Sequence, residues 1–196
     1  MKNKIVILSI ADICIYALSV TLFLVFKTSL LLTVWEITTF ISAPVMLLLL
    51  LELLKIGRHA HPVFETLTIV FMACTTALTS LAHVVNIAVT RRLLAEGVLV
   101  PTYFQIGYWP SVEMAVDYLA WGFFIGLAFV AAAGALTEAT GAAKGLRGLC
   151  LICGGLCLAG FVGALFINEN LWYLAPLGYG VGTLFLCAKM LRTATP

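Results

Sequence analysis

The chain has 196 residues, of which 63% are hydrophobic and 10% are charged, and its mean hydropathy is +1.12. A soluble domain is nearer half apolar and a quarter charged, and a domain of this size still exposes much of its surface, so the composition excludes a soluble fold. The formal net charge of +2 and the lack of a basic-aromatic run in the sequence argue against nucleic acid as a partner.

Long apolar stretches follow one another along almost the whole chain. A stretch of about 20 apolar residues crosses the hydrocarbon core of a bilayer as a helix. We therefore predict an all-α, polytopic membrane helix bundle that forms a single transmembrane domain over residues 1–196. The first stretch is too long for the core of a cleavable signal, so we interpret it as the first span. The predicted spans, about six in number, are 5–26, 30–54, 63–89, 111–136, 149–167 and 171–188.

Lysine and arginine are distributed unevenly between the two sides of these spans. With the N-terminus inside, eight lie inside and three outside. The inner ones are Lys2, Lys4, Lys55, Arg58, Lys144, Arg147, Lys189 and Arg192, and the outer ones are Lys27, Arg91 and Arg92. Positive charge collects on the cytoplasmic side. We therefore predict a multi-pass protein of the cell membrane with its N-terminus and C-terminus in the cytoplasm.

The segment 93–110 joins spans three and four on the predicted outer side. Glycines and prolines interrupt it too often for a span, yet it is too apolar and aromatic to extend into water. The rings of Tyr103, Phe104, Tyr108 and Trp109 suit the headgroup level of a membrane. We predict an interfacial loop, which is either a lid over a site or an aromatic belt without that role.

Three ionisable side chains lie at one depth within the predicted spans. Glu36, His83 and Asp117 are each about six residues from the outer end of a span, which is roughly 9 Å below the outer surface. Ionisable groups within spans are costly and usually face a bundle interior or a cavity. We predict a buried acid/His pocket near the outer face, with these three residues as catalytic candidates. The alternatives are that Glu36 reaches the interface and that His83 bonds a neighbouring carbonyl group.

Further candidates surround this level. Glu113 is four residues before Asp117 and shares its helix face, but an acid in the first turn of a helix also suits the helix dipole. It is therefore either a fourth catalytic candidate or a structural residue. Arg91 and Arg92 either neutralise the carboxylates or hold an anionic headgroup. Asp12, in the inner half of span one, is expected to pair with a Ser or Thr hydroxyl group. The candidate substrate-binding residues are Trp35, Asn86, Trp109, Tyr118, Trp121, Tyr173, Arg91 and Arg92.

Cysteine, histidine and small residues give weaker signals. Cys150 and Cys153 form a C-x-x-C pair, which is either a redox pair or small residues packed among glycines. His59 and His61 form an H-x-H without an evident third ligand, and we expect no metal and no cofactor. Small residues four apart, such as Gly178 and Gly182, predict close helix packing.

An acid/His pocket suits more than one function. Two carboxyl groups in different environments can act as an acid/base pair, and aromatic faces can stabilise a cation. In its kinds of groups, though in no motif, the set resembles small membrane-embedded sterol isomerases and membrane terpene cyclases. That resemblance implies a cofactor-free isomerase or cyclase of a lipophilic terpenoid- or sterol-like molecule.

Two other classes stay open. The same buried groups suit a proton-coupled small-molecule carrier or an uptake subunit. A non-catalytic membrane subunit of a larger complex would use the small-residue faces for docking and would need no acid/His level. The expected partners are membrane lipid, a lipophilic small molecule and either a second copy of the chain or a partner membrane subunit.

Overall fold

The computed structural model describes residues 2–57, 61–136 and 142–192. This part of the chain contains six long helices, each apolar enough to cross a membrane, which confirms the predicted all-α bundle and a multi-pass membrane protein. Arg58, His59 and Glu138 lie outside the described residues. The helices are α1 (Lys2–Phe26), α2 (Ser29–Leu54), α3 (Pro62–Ala95), α4 (Val112–Ala135), α5 (Ala142–Phe166) and α6 (Glu169–Arg192).

Local sequence signals explain where these helices begin. Thr28 caps α2 by accepting a hydrogen bond from the Leu31 N–H at 3.3 Å, and Ser111 caps α4 in the same way through the Met114 N–H at 3.1 Å. Both caps satisfy N–H groups that have no partner within the helix. Pro62 begins α3, where its missing N–H and fixed φ cost nothing.

The helices form a ring in which each one packs on the next along the chain, and α1 closes the ring against Thr183–Arg192 of α6. Short connections make neighbouring helices antiparallel, so both described chain ends lie together at the terminal end of the bundle. Residues 27–28, 96–111 and 167–168 form the opposite end, which we call the loop end. Helix α4 is the most buried helix, because 67% of the residues in its apolar stretch are buried inside the bundle. In α1 the buried share of the apolar stretch is only 17%.

Three helices contain a wide π-turn, at Asn86–Thr90 in α3, Leu119–Phe124 in α4 and Leu177–Gly182 in α6. Each turn inserts an extra residue and rotates the helix that follows it; such turns are rare and are frequent at functional sites. Because of its π-turn, α3 continues to Ala95 rather than ending at the predicted Val89. Three residues predicted in the outer segment, 93–95, are therefore helical.

The terminal half of the bundle holds the apolar core. The side chains that are fully buried in this half or at mid-depth include those of Leu49, Leu53, Met72, Phe129 and Leu186. Near its edge, Lys55 Nζ donates to the buried Glu52 Oε1 at 2.5 Å. Large apolar side chains are exposed on the outer surface of the helix ring. Lipid tails are as apolar as these side chains, so their exposure in a bilayer avoids the free-energy cost that exposure to water would impose.

Small residues let α5 and α6 approach closely, as the sequence predicts. A Cβ atom added at Gly160 would lie 2.7 Å from the backbone nitrogen of Ala175, and one at Gly178 would lie 2.6 Å from the Cys153 carbonyl oxygen. The thiols of Cys150, Cys153 and Cys157 are free and buried at this contact. The geometry favours the packing interpretation of the C-x-x-C pair over a redox role.

We predict that Gly160→Ala destabilises the protein while Gly155→Ala does not. The added methyl group at residue 160 pushes the α6 backbone away, whereas nothing lies within 4 Å of a Cβ at Gly155, which is exposed on the same helix. Overpacking costs about 1–3 kcal/mol, which for a chain of this size lowers the melting temperature by about 2–4 °C per kcal/mol.

The measurement is thermal unfolding in detergent, followed with a thiol-reactive dye that reaches the buried cysteines only after unfolding. Equal melting temperatures for the two variants would contradict the close approach of α5 and α6.

Candidate functional site

The acid/His cluster lies towards the loop end of the bundle and consists of Glu36 from α2, His83 from α3 and Asp117 from α4. His83 Nδ1 is 3.9 Å from Glu36 Oε1, and His83 Nε2 is 3.6 Å from Asp117 Oδ1. The side chains of Glu36 and His83 are 1% and 2% exposed, whereas that of Asp117 is 17% exposed. The structure thus brings the three predicted residues together and confirms a buried His/acid cluster.

Glu36 is held by donors on both of its carboxylate oxygens. Arg91 Nη1 donates to Glu36 Oε2 at 2.9 Å, and the Asn86 side-chain amide donates to Glu36 Oε1. Arg91 Nη2 also donates to the Ser29 carbonyl oxygen at 3.0 Å, which anchors the guanidinium at the start of α2. Charge-assisted bonds of this kind are the strong ones, so Glu36 has a fixed position.

Asp117 is not held in this way. Within the described residues its buried oxygen Oδ1 has no hydrogen-bond partner, and neither ring nitrogen of His83 has one at normal bonding distance. A movement of a few tenths of an ångström would bring His83 Nε2 and Asp117 into a hydrogen bond. The two carboxyl groups on either side of the imidazole therefore differ: two donors hold Glu36, whereas Asp117 Oδ1 has no hydrogen-bond partner among the described residues.

Charges at the cluster can compensate one another. Both nitrogens of His83 face carboxylate oxygens, an arrangement complementary to a doubly protonated ring, in which both nitrogens are donors. With that ring, two positive groups (Arg91 and His83) face two negative ones (Glu36 and Asp117). A buried charge is tolerated when it is paired and hydrogen-bonded, so the cluster has a physical basis for its stability.

The π-turn in α3 aligns the partners of Glu36 with His83. His83 and Asn86 share a helix face because they are three residues apart, and the wide turn from Asn86 to Thr90 keeps Thr90 buried and turns Arg91 inward. Arg92, one residue further, points out instead. It is 77% exposed and pairs with Glu96 at 3.2 Å. The structure therefore does not bring Arg92 to the cluster.

Glu113 lies beside the cluster without joining it. Its Oε1 accepts a hydrogen bond from the Thr90 hydroxyl at 2.9 Å, and its carboxyl group is close to the backbone N–H of Ile106. It sits in the first turn of α4 after the Ser111 cap. The contacts are those of a residue that joins α3, α4 and the segment 96–111, which favours the structural interpretation. A catalytic role for Glu113 stays a prediction.

A stack of three rings fastens the segment 96–111 to the bundle. Trp109 stacks on Tyr118 with ring centroids 4.8 Å apart, and Tyr118 stacks on Trp172 at 3.7 Å. The stack joins this segment to α4 and α6 above the cluster. Tyr173, by contrast, is 70% exposed and points away from the bundle. The substrate-binding roles predicted for Trp109, Tyr118 and Tyr173 stay predictions, as does the lid.

A cleft of about 580 Å³ opens at the loop end between the start of α2, the end of α3 and the segment 96–111. Its walls include Lys27, Trp35 and Tyr108, and its floor includes Asn86 and Arg91. The ring of Trp35 is fixed by stacking on Phe23, with centroids 5.4 Å apart. The cleft thus reaches the two groups that hold Glu36, while the carboxylate itself stays buried.

A second, smaller cavity lies deeper, among α1, α2, α4 and α6. Its lining includes Asp12, Tyr16, Trp121 and Tyr179. The rings of Trp121 and Tyr179 are 4.9 Å apart. Tyr16 and Tyr179 lie close together, and both are within electrostatic reach of Asp117. These tyrosines therefore separate the cavity from the acid/His cluster.

Sequence reasoning missed Tyr16, Tyr179 and Thr90. Tyr16 could have been found, because it is four residues after Asp12 and so shares its helix face. Nothing local distinguishes Tyr179 among its neighbouring glycines. Asp12 lies next to the hydroxyl group of Ser42, as expected for a buried acid that pairs with a Ser or Thr.

Comparison with family models, curated proteins and solved structures gave no match to this chain. Within residues 2–57, 61–136 and 142–192, no group of three or more His, Cys, Asp or Glu side chains could hold a metal ion. The site must therefore be interpreted from its own geometry.

We predict that Arg91→Met destabilises the protein and that adding Glu36→Gln restores much of the loss. Removing the guanidinium leaves a buried carboxylate without its cation, at a cost of about 2 kcal/mol because Arg91 is itself partly exposed. Arg92→Met is the matched control, since its ion pair is exposed and contributes little. Thermal unfolding of the four proteins measures the coupling. Additive effects of Arg91→Met and Glu36→Gln would show that the buried pair has no energetic role.

Proposed function

We propose that the protein is a cofactor-free, membrane-embedded acid–base enzyme that isomerises or cyclises a lipophilic small molecule. One observation carries the proposal: the His83 imidazole lies between two carboxyl groups, of which Glu36 is held by Arg91 and Asn86 while Asp117 Oδ1 has no hydrogen-bond partner among the described residues. Two carboxyl groups with different environments are the usual basis for separate acid and base roles.

Each residue then has a distinct role. Asp117 is the group that exchanges a proton with the substrate, because it alone of the three has more than 2% of its side chain exposed. His83 exchanges a proton with Asp117 through Nε2. Glu36 is a positioning residue that orients the imidazole through Nδ1 and stabilises its charged form, as the orienting carboxylate of a catalytic triad does.

The product is an isomer of the substrate, so no atom is gained or lost in the reaction. Asp117 takes the Nε2 proton of the charged His83 ring and so becomes a carboxylic acid. It then donates that proton to a carbon–carbon double bond, and the substrate becomes a carbocation. A proton then leaves a neighbouring carbon, after a ring has closed in the case of a cyclase, and returns to the Asp117–His83 pair. Proton transfer from a positioned acid contributes about 10²–10⁴-fold to a rate.

The surroundings suit a cationic intermediate and an apolar substrate. Tyr118 and Trp121 are the buried ring residues that follow Asp117 on α4, and aromatic faces attract a cation. Helix α1, the least buried of the six, is the element beside which a lipid-soluble substrate would reach them.

A proton-coupled carrier is the second candidate, favoured by a different observation. Polar side chains continue from the cluster towards the terminal end, from Asp117 to the Tyr16–Tyr179 pair and on to Asp12 beside Ser42. Protonatable groups in a row across a bundle mark proton pathways. A carrier needs such a row, whereas an enzyme open on one side does not.

We predict that membranes with the wild-type protein contain a lipophilic product that membranes with Asp117→Asn lack. The product has the mass of its precursor and a different retention time, and its amount falls about 10²-fold or more in the variant because the proton donor is gone. Glu96→Gln is the matched acid-to-amide control, since Glu96 is exposed and distant from the cluster. The measurement is mass spectrometry of extracted lipids.

The outcomes separate the two candidates. Equal products in both proteins, both correctly folded, would contradict the enzyme. A changed distribution of one compound between cells and medium, without a new molecule, would support the carrier instead.

The proposal places the loop end, and with it the cleft, on the outer side of the cell membrane. We predict that Leu99→Cys is labelled by a membrane-impermeant maleimide in intact cells, because Leu99 is 92% exposed at the loop end. Lys144→Cys, exposed at the terminal end, should be labelled only after the cells are opened. The reverse labelling would place the cleft on the cytoplasmic side.

A further inference from the structure

The small cavity among α1, α2, α4 and α6 has an unusual lining for a site deep in a bundle. It combines one carboxyl group, that of Asp12, with three aromatic side chains, those of Tyr16, Trp121 and Tyr179. The remaining lining is mainly apolar, and the cavity volume is about 30 Å³, enough for one small group. An acid among aromatic rings is the combination that recognises an organic cation.

Among the described residues, Asp12 has no cationic partner. No lysine or arginine of the described residues forms an ion pair with it, and its polar neighbour is the hydroxyl group of Ser42. That hydroxyl also lies 2.9 Å from the Thr38 carbonyl oxygen, to which it donates, so its single hydrogen serves two acceptors and brings no positive charge to Asp12. An acid within a span usually has a partner, and the described chain does not provide a charged one here.

The aromatic rings are placed to complete such a site. Trp121 and Tyr179 are both more than 90% buried and lie against each other at a ring-plane angle of 48°. The Nε1–H of Trp121 has no hydrogen-bond partner among the described residues. A cation between these faces would be desolvated, which is the condition under which attraction to a ring is strongest.

The cavity also has a route to the lipid. Helix α1 packs against the Thr183–Arg192 part of α6, but its packing against the π-turn Leu177–Gly182 is sparse. Gly180 lines the cavity within that turn, and nothing lies within 4 Å of a Cβ atom added there. The neighbouring side chains of Leu177 and Val181 are exposed on the lipid-facing surface.

We infer that this cavity binds the cationic head of a lipophilic amine, with its apolar tail lying in the bilayer between α1 and α6. Asp12 supplies the counter-charge, and the rings of Tyr16, Trp121 and Tyr179 surround the ammonium group. The volume of about 30 Å³ admits an unsubstituted ammonium group and leaves the tail outside. The inference does not rest on the proposed reaction, because Asp12 supplies the charge and Asp117 does not line the cavity.

The test uses radiolabelled dodecylammonium and the purified protein in a neutral maltoside detergent. We expect saturable binding by the wild type. Binding should be about tenfold or more weaker in Asp12→Asn, which removes the charge, and in Gly180→Leu, whose Cβ atom meets nothing within 4 Å and whose side chain would occupy the cavity. The neutral carbon isostere, tridecane, should not compete.

Asp117→Asn is the control that keeps this inference separate from the proposed enzyme. It should bind the ammonium compound as the wild type does, whatever happens to its activity. Binding that is unchanged in both Asp12→Asn and Gly180→Leu, effective competition by the neutral isostere, or no saturable binding by the wild type would each overturn the inference.

Discussion

The ion pair between Glu36 and Arg91 is the interaction on which the rest of the site depends. A carboxylate 1% exposed within an apolar bundle is very costly without a cation, and Arg91 reaches it only because α3 widens into a π-turn at Asn86–Thr90. Once Glu36 is fixed, one nitrogen of His83 faces a defined oxygen. The other nitrogen is then directed at Asp117 on the next helix.

That arrangement makes the two sides of the imidazole unequal. A histidine held between two firmly bonded carboxylates would be a structural element, with no group free to accept or release a proton. Here Asp117 is partly exposed and its Oδ1 has no hydrogen-bond partner among the described residues, and it is within electrostatic reach of the tyrosine pair. The bundle around it is also unequal, because α4 is buried deeply and α1 is not. The proposed chemistry depends on the Asp117 side of the imidazole, whereas the inferred amine site depends on Asp12 in the neighbouring cavity.

Much of this could be predicted from the sequence, for identifiable reasons. Long apolar stretches are sufficient to define six spans, and equal distances from the span ends place Glu36, His83 and Asp117 at one level. The sequence could not separate Arg91 from Arg92, since their opposite directions depend on a π-turn that no local pattern signals. Tyr179 reaches the site only through the packing of α6 against α5, which is a tertiary contact.

The proposed enzyme requires the acid/His cluster to transfer protons to carbon in a lipophilic molecule. The most direct measurement is deuterium uptake from heavy water into extracted lipids, comparing membranes that contain the wild type with membranes that contain Asp117→Asn. We expect a compound that gains deuterium at carbon with the wild type and not with the variant. Identical deuterium patterns in the two samples, with both proteins folded, would contradict it.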